Sequence, residues 1–152
     1  MKLIPTASQT VGPFFSIGLA PLCQDTTKTA SVEAITISGL VADGDGRPIP
    51  DCALEFWTAK SFARVPTSAD GKYSVMLEAQ ARMCEVLLFM RGLLKPVYTR
   101  MYLGSAKTDD DGLKSVPQER IATLIARPGN SSRQYVWNVK MQGENETVFF
   151  DY

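Results

Sequence analysis

The stretch MCEVLLFMRGLLKPVYTRMYL, from Met83 to Leu103, contains the longest apolar run of the chain and decides the fold class. Its first part, from Met83 to Met90, has a single charged residue, Glu85, which is typical of a strand buried on both faces or of a buried helix segment. A loop that begins at Arg91 interrupts the run, and the residues after it alternate with the period of a strand. We therefore predict two strands joined by a loop with Arg91 at its mouth.

Short alternating segments separated by turn residues flank this unit on both sides. Residues 35–41 and 52–57 alternate around the turn cluster Asp43-Gly44-Asp45-Gly46, which predicts a β-hairpin. Further strands are predicted at residues 73–77, 121–126, 134–141 and 147–152, with loops at 59–67 and 104–118. Seven or eight strands and no long amphipathic helix predict an all-β fold, a single antiparallel β-sandwich domain over residues 1–152, with a barrel as the alternative.

Two shorter features have their own interpretations. Residues 1–22 contain Pro5, Pro13 and Pro21, so we predict an extended N-terminal arm without a helix, ordered by aromatic residues that dock on the domain. The acidic run from Asp109 to Gly112 lacks the alternating acids and the distant Glu of an EF-hand, which favours a solvated turn over a calcium site.

The composition excludes several classes of function. Sixteen basic and sixteen acidic residues cancel, so neither nucleic acid nor an anionic membrane is an expected partner. No apolar segment reaches the roughly 18 residues that span a bilayer. The N-terminus lacks the apolar core of a signal peptide, so we expect a cytoplasmic protein with three free, mostly buried cysteines.

The chain contains no histidine at all. Histidine is the commonest neutral metal ligand and the commonest general base in proteins. Its absence excludes a Ser-His-Asp triad, a Cys-His pair, a zinc–histidine site and a two-histidine iron site for this chain acting alone.

Three separated pieces of the chain resemble the intradiol ring-cleaving dioxygenases, and among them the alpha-type subunits of the protocatechuate 3,4-dioxygenase branch. The resemblance covers nearly the whole chain, and the arm and the tail together are its specific parts. The pieces are the arm SQTVGPFF (residues 8–15), the hairpin motifs GLV, DGDG and LEFW (39–57), and the tail segments TLIA, QGE and ETVFFDY (123–152), supported by FMRG (89–92) and TRMY (99–102).

The resemblance implies an all-β sandwich that works in a hetero-oligomer. In that family a catalytic beta-type subunit holds Fe(III) with two tyrosines and two histidines and cleaves a catechol with O₂. The alpha-type subunit binds no iron and completes the pocket with its N-terminal arm and one arginine. Matched by motif, these pocket contributions fall on Thr10, Gly12, Pro13, Phe14 and Arg91, with Arg91 suited to pair with the carboxylate of a small aromatic acid.

The chain departs from the pattern of the catalytic subunits in two places. Met83 and Glu85 stand where those subunits carry iron-binding histidines, and a thioether with a carboxylate does not replace two imidazoles on a ferric centre. The segment between Trp57 and Met83 is also much shorter, and it lacks the region of the tyrosine ligands. We therefore predict no metal and no cofactor in this chain, with the iron in a partner.

Two other functions remain open at this point. One is a homo-oligomeric binding or structural sandwich without redox chemistry. The other is a metal-free enzyme that uses Glu85, Arg91 and Tyr98 for acid–base chemistry on an aromatic acid, with Glu85 and Tyr98 as the candidate acid–base groups. The plainer interpretation of Glu85 is a salt bridge to Arg82 or Arg100.

Overall fold

The computed structural model describes residues 4–10, 12, 14–23, 34–78, 82–104 and 110–151. The strands and one α-helix found there are α1 (Phe14–Leu19), β1 (Ala34–Ala42), β2 (Ala53–Trp57), β3 (Phe62–Pro66), β4 (Lys72–Glu78), β5 (Met83–Phe89), β6 (Val97–Leu103), β7 (Ile125–Pro128), β8 (Gln134–Val136) and β9 (Val139–Lys140). Short 3₁₀ helices cover Ala20–Leu22, Asp111–Leu113 and Gln118–Leu124. No helix of the described residues is long and apolar enough to cross a membrane.

The strands form two sheets that share one strand. The first has the order β3-β2-β5-β6-β7, and the second continues as β7-β8-β1-β4, with β9 added on β1. Strand β7 pairs with β6 through Ile125 and Ala126, and with β8 through Arg127 and Pro128. The sheet therefore curls over on itself, and the predicted all-β sandwich is confirmed.

The core lies between the two sheets and follows the strand alternation. On β5 the side chains of Cys84, Val86 and Leu88 are fully buried, whereas Glu85 between them is exposed. The prediction of a strand is confirmed, but burial on both faces is wrong because only one face of β5 meets the second sheet. Cys52 and Cys84 are buried free thiols, and burial raises the pKa of each to about 12.

The predicted hairpin between residues 35–41 and 52–57 does not form. The turn is present, since Asp43 Oδ1 accepts hydrogen bonds from the backbone N–H groups of Asp45 (3.0 Å) and Arg47 (2.8 Å). However, β1 pairs with β4, whereas β2 pairs with β3 and β5 in the other sheet. The segment 48–51, with two prolines and a positive φ at Asp51, carries the chain from one sheet to the other.

Several other boundaries also differ from the prediction. The arm is not wholly extended, because Phe14–Leu22 is helical in a stretch where Pro13 precedes the first helical residue and so costs no hydrogen bond. Strand β3 forms inside the predicted loop 59–67, and the last predicted strand is reduced to one bridge between Tyr98 and Phe150. Three pairings are parallel (β1–β8, β1–β9 and β6–β7), so the sandwich is mostly rather than wholly antiparallel.

Candidate functional site

The outer face of the first sheet carries the polar residues singled out by the sequence. Strand alternation turns Met83 and Glu85 of β5 to this face, and the register places them opposite Tyr102 and Arg100 of β6. On its other side, Glu85 lies opposite Trp57 of β2.

Arg100 is the centre of a polar network on this face. Its Nε donates to the Tyr98 hydroxyl (3.0 Å), and its Nη1 forms an ion pair with Asp110 Oδ1 (3.1 Å). Its guanidinium also lies over the Phe150 ring, 5.3 Å from the centroid. Tyr102 donates to the other oxygen of Asp110 at 2.6 Å. Arg100 thus holds together β6, the segment at Asp110 and the C-terminal tail.

Burial and the hydrogen bonds of this network shift the pKa values of Tyr98, Tyr102 and Asp110. Burial is the main reason that the pKa of Tyr98 is raised, and a hydrogen bond with Glu85 raises it further against the opposing effect of Arg100. Burial and the bond to Asp110 raise the pKa of Tyr102 to about 12. The same bond from Tyr102 is the main cause of the lowered pKa of Asp110. Both tyrosines are therefore neutral phenols near pH 7.

The predicted salt bridge of Glu85 to Arg82 or Arg100 is wrong. Arg100 lies opposite Glu85 in the register but pairs with Asp110, and Glu85 lies near enough to the Tyr98 hydroxyl to raise its pKa. Glu85 is exposed, and its neighbour Tyr98 is a phenol with a raised pKa, which is a poor general base. The structure thus brings the two candidate acid–base residues together without adding support for that role.

Arg91 lies at the mouth of the β5–β6 loop, as the sequence predicts. Its Nη2 is 3.0 Å from Asp51 Oδ2, and its side chain is 61 % exposed. Asp51 has a φ of 60°, a left-handed conformation that is uncommon outside glycine. The Asp51 oxygen uses only one of the five N–H groups of the Arg91 guanidinium. Two adjacent N–H groups therefore remain available to bind both oxygens of another carboxylate.

The N-terminal arm lies against the same loop. Gln9 and Thr10 line a small groove of about 100 Å³ together with Phe89, Met90, Leu93, Leu94, Lys95 and Pro96. Gly12 has a φ of 61°, and its N–H donates to Thr10 Oγ1 at 3.3 Å. Arg91 is adjacent in sequence to the groove residue Met90 but is not one of its lining residues. Pro13 and the side chain of Phe14 lie outside the described residues.

The residues at the positions expected for iron ligands do not fit a ferric centre. Met83 and Glu85 face the phenol of Tyr102 and the permanent cation of Arg100, and a guanidinium beside the site opposes a second cation. Within the described ranges, no group of three or more His, Cys, Asp or Glu side chains is placed to hold a metal ion. The side chains on this face therefore form a hydrogen-bonded network and not a metal centre.

Sequence reasoning missed two residues of these clusters. Asp110 was assigned to a solvated turn, but it caps the 3₁₀ helix Asp111–Leu113 through the N–H of Gly112 (2.9 Å) and pairs with Arg100. Asp51 gave no sequence signal beyond its place after two prolines. Asp51 pairs with Arg91 and Asp110 pairs with Arg100, residues on separate segments of the chain. Local sequence patterns do not predict such contacts.

Comparisons with known proteins complete the description. The chain is 36 % identical to the protocatechuate 3,4-dioxygenase alpha chain of Burkholderia cepacia, covering 96 % of both chains, and 30 % identical to that of Pseudomonas putida, covering 100 % of this chain and 99 % of the relative. The first alignment runs over 191 positions, more than the 152 residues of this chain, so it contains gaps here. No family model matches the chain.

Among solved structures, the chain is similar to catechol 1,2-dioxygenase from Acinetobacter radioresistens, with a TM-score of 0.55 and 14 % identity. The match covers 86 % of this chain and 59 % of that chain. At this identity the similarity establishes the fold alone.

Proposed function

This chain belongs to the protocatechuate 3,4-dioxygenase alpha chain family of intradiol dioxygenases, and on that premise we propose that it shapes the substrate pocket of a catalytic, iron-carrying beta-type subunit. The proposal rests on the similarity to two alpha chains, which covers nearly all of each chain. It also rests on Met83 and Glu85, which stand at the positions expected for iron ligands and do not suit iron. The substrate class is a small aromatic acid with a catechol ring, and the oxygen chemistry is left to the partner.

The proposed contribution of this chain has two parts. Arg91 binds the carboxylate of the substrate through the guanidinium edge that Asp51 leaves available. The arm residues Thr10, Gly12, Pro13 and Phe14 form the wall beside the ring. In support, Thr10 lines a groove together with the loop that begins at Arg91.

The two parts have different chemical tasks. A bidentate guanidinium–carboxylate contact fixes the orientation of a planar acid, so that its catechol end points in one direction. The backbone of the Gly12 turn allows close approach to a flat ring because it carries no side chain there. Neither task moves a proton or an electron, which suits a subunit without a catalytic base.

A direct test is to co-express the chain with a catalytic intradiol subunit and to measure ring cleavage of protocatechuate. We expect the chain alone to be inactive and the complex to be active. The substitution Arg91→Gln should raise KM at least about tenfold, because it removes a charge-assisted contact, with a much smaller effect on kcat. It should leave KM for catechol, which lacks the carboxylate, nearly unchanged.

Lys72 supplies the matched control. It is an exposed cation on β4 of the other sheet, so Lys72→Gln removes the same charge without touching Asp51 or the groove of Thr10. Equal effects of the two substitutions on KM, or turnover by this chain in the absence of a partner, would refute the proposed role.

A further inference from the structure

A second and larger groove lies on the outer side of the second sheet. Its volume is about 440 Å³, within the range of roughly 300–1,000 Å³ typical of small-molecule sites. The groove exists because β7 leaves β6 after Ala126 and joins β8 at Arg127, which opens a gap beside the Gln118–Leu124 helix. Its described lining residues are Glu119, Ala122, Thr123, Ile125, Arg127, Val136, Trp137, Asn138, Lys140, Asn145 and Thr147.

The floor of the groove is partly apolar. Val136 is 42 % exposed, and Ile125 and Ala122 line the same space. A ligand with a flat apolar body would remove these side chains from water, at a gain of about 25 cal/mol per Å² of apolar surface buried.

The unused polar groups of the groove are mainly hydrogen-bond donors. Arg127 and Lys140 form no ion pair with any described residue. Asn138 accepts from the N–H of Leu40 with its Oδ1 (3.0 Å), which leaves its NH₂ group to donate. Asn145 also lines the groove, at a turn where its φ is 60°, a left-handed conformation that Asn tolerates well.

The hydroxyl groups of the groove are already used. Thr123 Oγ1 donates to the carbonyl of Arg120 (2.8 Å) and accepts from the N–H of Val148 (3.2 Å). Thr147 Oγ1 accepts from the N–H of Lys140 at 3.0 Å. Glu119 is the single carboxylate among the described lining residues. Among the described residues, the side chains of Arg127, Lys140 and Asn145 and the NH₂ group of Asn138 have no acceptor, and the Glu119 carboxylate has no donor.

We propose that this groove is a second binding site for small organic acids, separate from the pocket of Arg91. The carboxylate of the ligand pairs with Arg127 and Lys140 at the rim, and its apolar body lies on Val136 and Ile125. Such a site would let the alpha-type chain respond to an aromatic or aliphatic acid that is not being turned over. The proposal does not depend on the proposed pocket-shaping role, because it uses none of the same residues.

The test uses the full-length chain and benzoate as the probe, with the indole N–H of Trp137 as the reporter in ¹H–¹⁵N spectra. This indole donates to the carbonyl of Thr123 at 3.0 Å, at the wall of the groove. The chain has only two tryptophans, so Trp57→Phe assigns the signal. We expect benzoate to shift the Trp137 signal in a saturable way and the neutral isostere benzamide to shift it much less.

The double variant Arg127→Gln/Lys140→Gln should weaken benzoate binding about tenfold. Lys72→Gln, which removes an exposed cation from β4 of the same sheet, should not change it, and neither should Arg91→Gln. Thermal unfolding confirms that each variant is folded. The proposal is overturned if benzoate does not shift the signal, if benzamide binds equally well, or if Arg91→Gln abolishes the shift while the double variant retains it.

Discussion

At the scale of single residues, Asp51 shows how the backbone places a functional group. Its φ of 60° is a left-handed conformation with a higher backbone free energy than that of an ordinary turn residue. This conformation places Asp51 Oδ2 3.0 Å from Arg91 Nη2. Asn tolerates this conformation nearly as well as Asp, Gly tolerates it best, and Ala tolerates it poorly. Asp51 therefore fixes both a chain path and the position of a guanidinium.

We expect Asp51→Ala to lower the free energy of unfolding by about 1 kcal/mol, and Asp51→Asn and Asp51→Gly to change it by less than about 0.5 kcal/mol. Urea denaturation followed by circular dichroism measures the difference. Asp45→Ala is the control, because Asp45 has an exposed ion pair with Arg47 at 3.9 Å and no positive φ. Equal losses for Asp51→Ala and Asp51→Gly would show that the ion pair, not the backbone, is responsible.

Residue-scale prediction from sequence succeeded for the position of Arg91 and failed for the ion pair of Glu85. Arg91 follows an apolar run directly, so its exposure at a loop mouth is a local consequence of the pattern. The partner of Glu85 depends on which strand lies beside β5 and on how Asp110 competes for Arg100. Whether Arg100 pairs with Glu85 or with Asp110 depends on the folded positions of the two carboxylates, which no local sequence pattern reveals.

At the scale of elements, the Arg100 network joins β6 to the segment at Asp110 and to the tail. The lowered pKa of Asp110 has a consequence for stability. A carboxyl whose pKa is lower in the folded than in the unfolded state adds stability above its unfolded pKa. That stability is lost as the pH falls through the folded pKa.

We therefore expect acid to destabilise the protein as the pH falls from about 5 through the ordinary carboxyl value of 3.8 and below, in part through Asp110. Asp110→Asn should be less stable at pH 7 and should lose less stability on acidification, as measured by urea midpoints across this range. Asp111→Asn is the matched control, since the Asp111 side chain is 89 % exposed and pairs only with Lys114. A variant Asp110→Asn with the pH dependence of the wild type would contradict this assignment.

The sequence predicted individual strands correctly, because the alternation of apolar and polar side chains identifies them. It did not predict which strands pair with each other. Strands β5 and β6 were predicted from their residues because the two-residue period sorts side chains between core and surface. The predicted hairpin failed because β1 and β2 have good strand patterns but lie in different sheets. The α-helix Phe14–Leu19 was missed because three prolines in the arm argue against a helix, although Pro13 and Pro21 flank this helix and do not interrupt it.

At the scale of the whole molecule, membership in an alpha-chain family predicts association with a second kind of chain. Mixed with a catalytic intradiol subunit, the chain should elute as a complex of larger mass than either component, as measured by light scattering after size exclusion. The alignment with the relative contains gaps in this chain, so this measurement also tests whether the shorter chain still associates. A stable homo-oligomer that does not bind the catalytic chain would favour the structural alternative.

The fold class was predictable from strand spacing and from the resemblance of the arm and tail, whereas the joining of the sheets was not. The contacts that connect the sheets are made by residues far apart in sequence, such as the edge-to-face contact of Phe56 on β2 with Trp137, whose ring centroids are 6.5 Å apart. The second groove had no sequence signal for the same reason. Arg127 and Asn138 look like ordinary surface residues until β7 is known to leave one sheet for the other.

The pairing of β1 also has a consequence for synthesis on the ribosome. One edge of β1 is covered early by β4, but the other is covered by β8 and β9, whose first residue is Gln134. Until that part of the chain has emerged, a nascent polypeptide presents β1 as an open edge strand, which is a template for association with other chains. Residues up to Lys140 must be translated before the pairing of β1 is complete, so we expect premature termination before residue 134 to yield a product prone to aggregate.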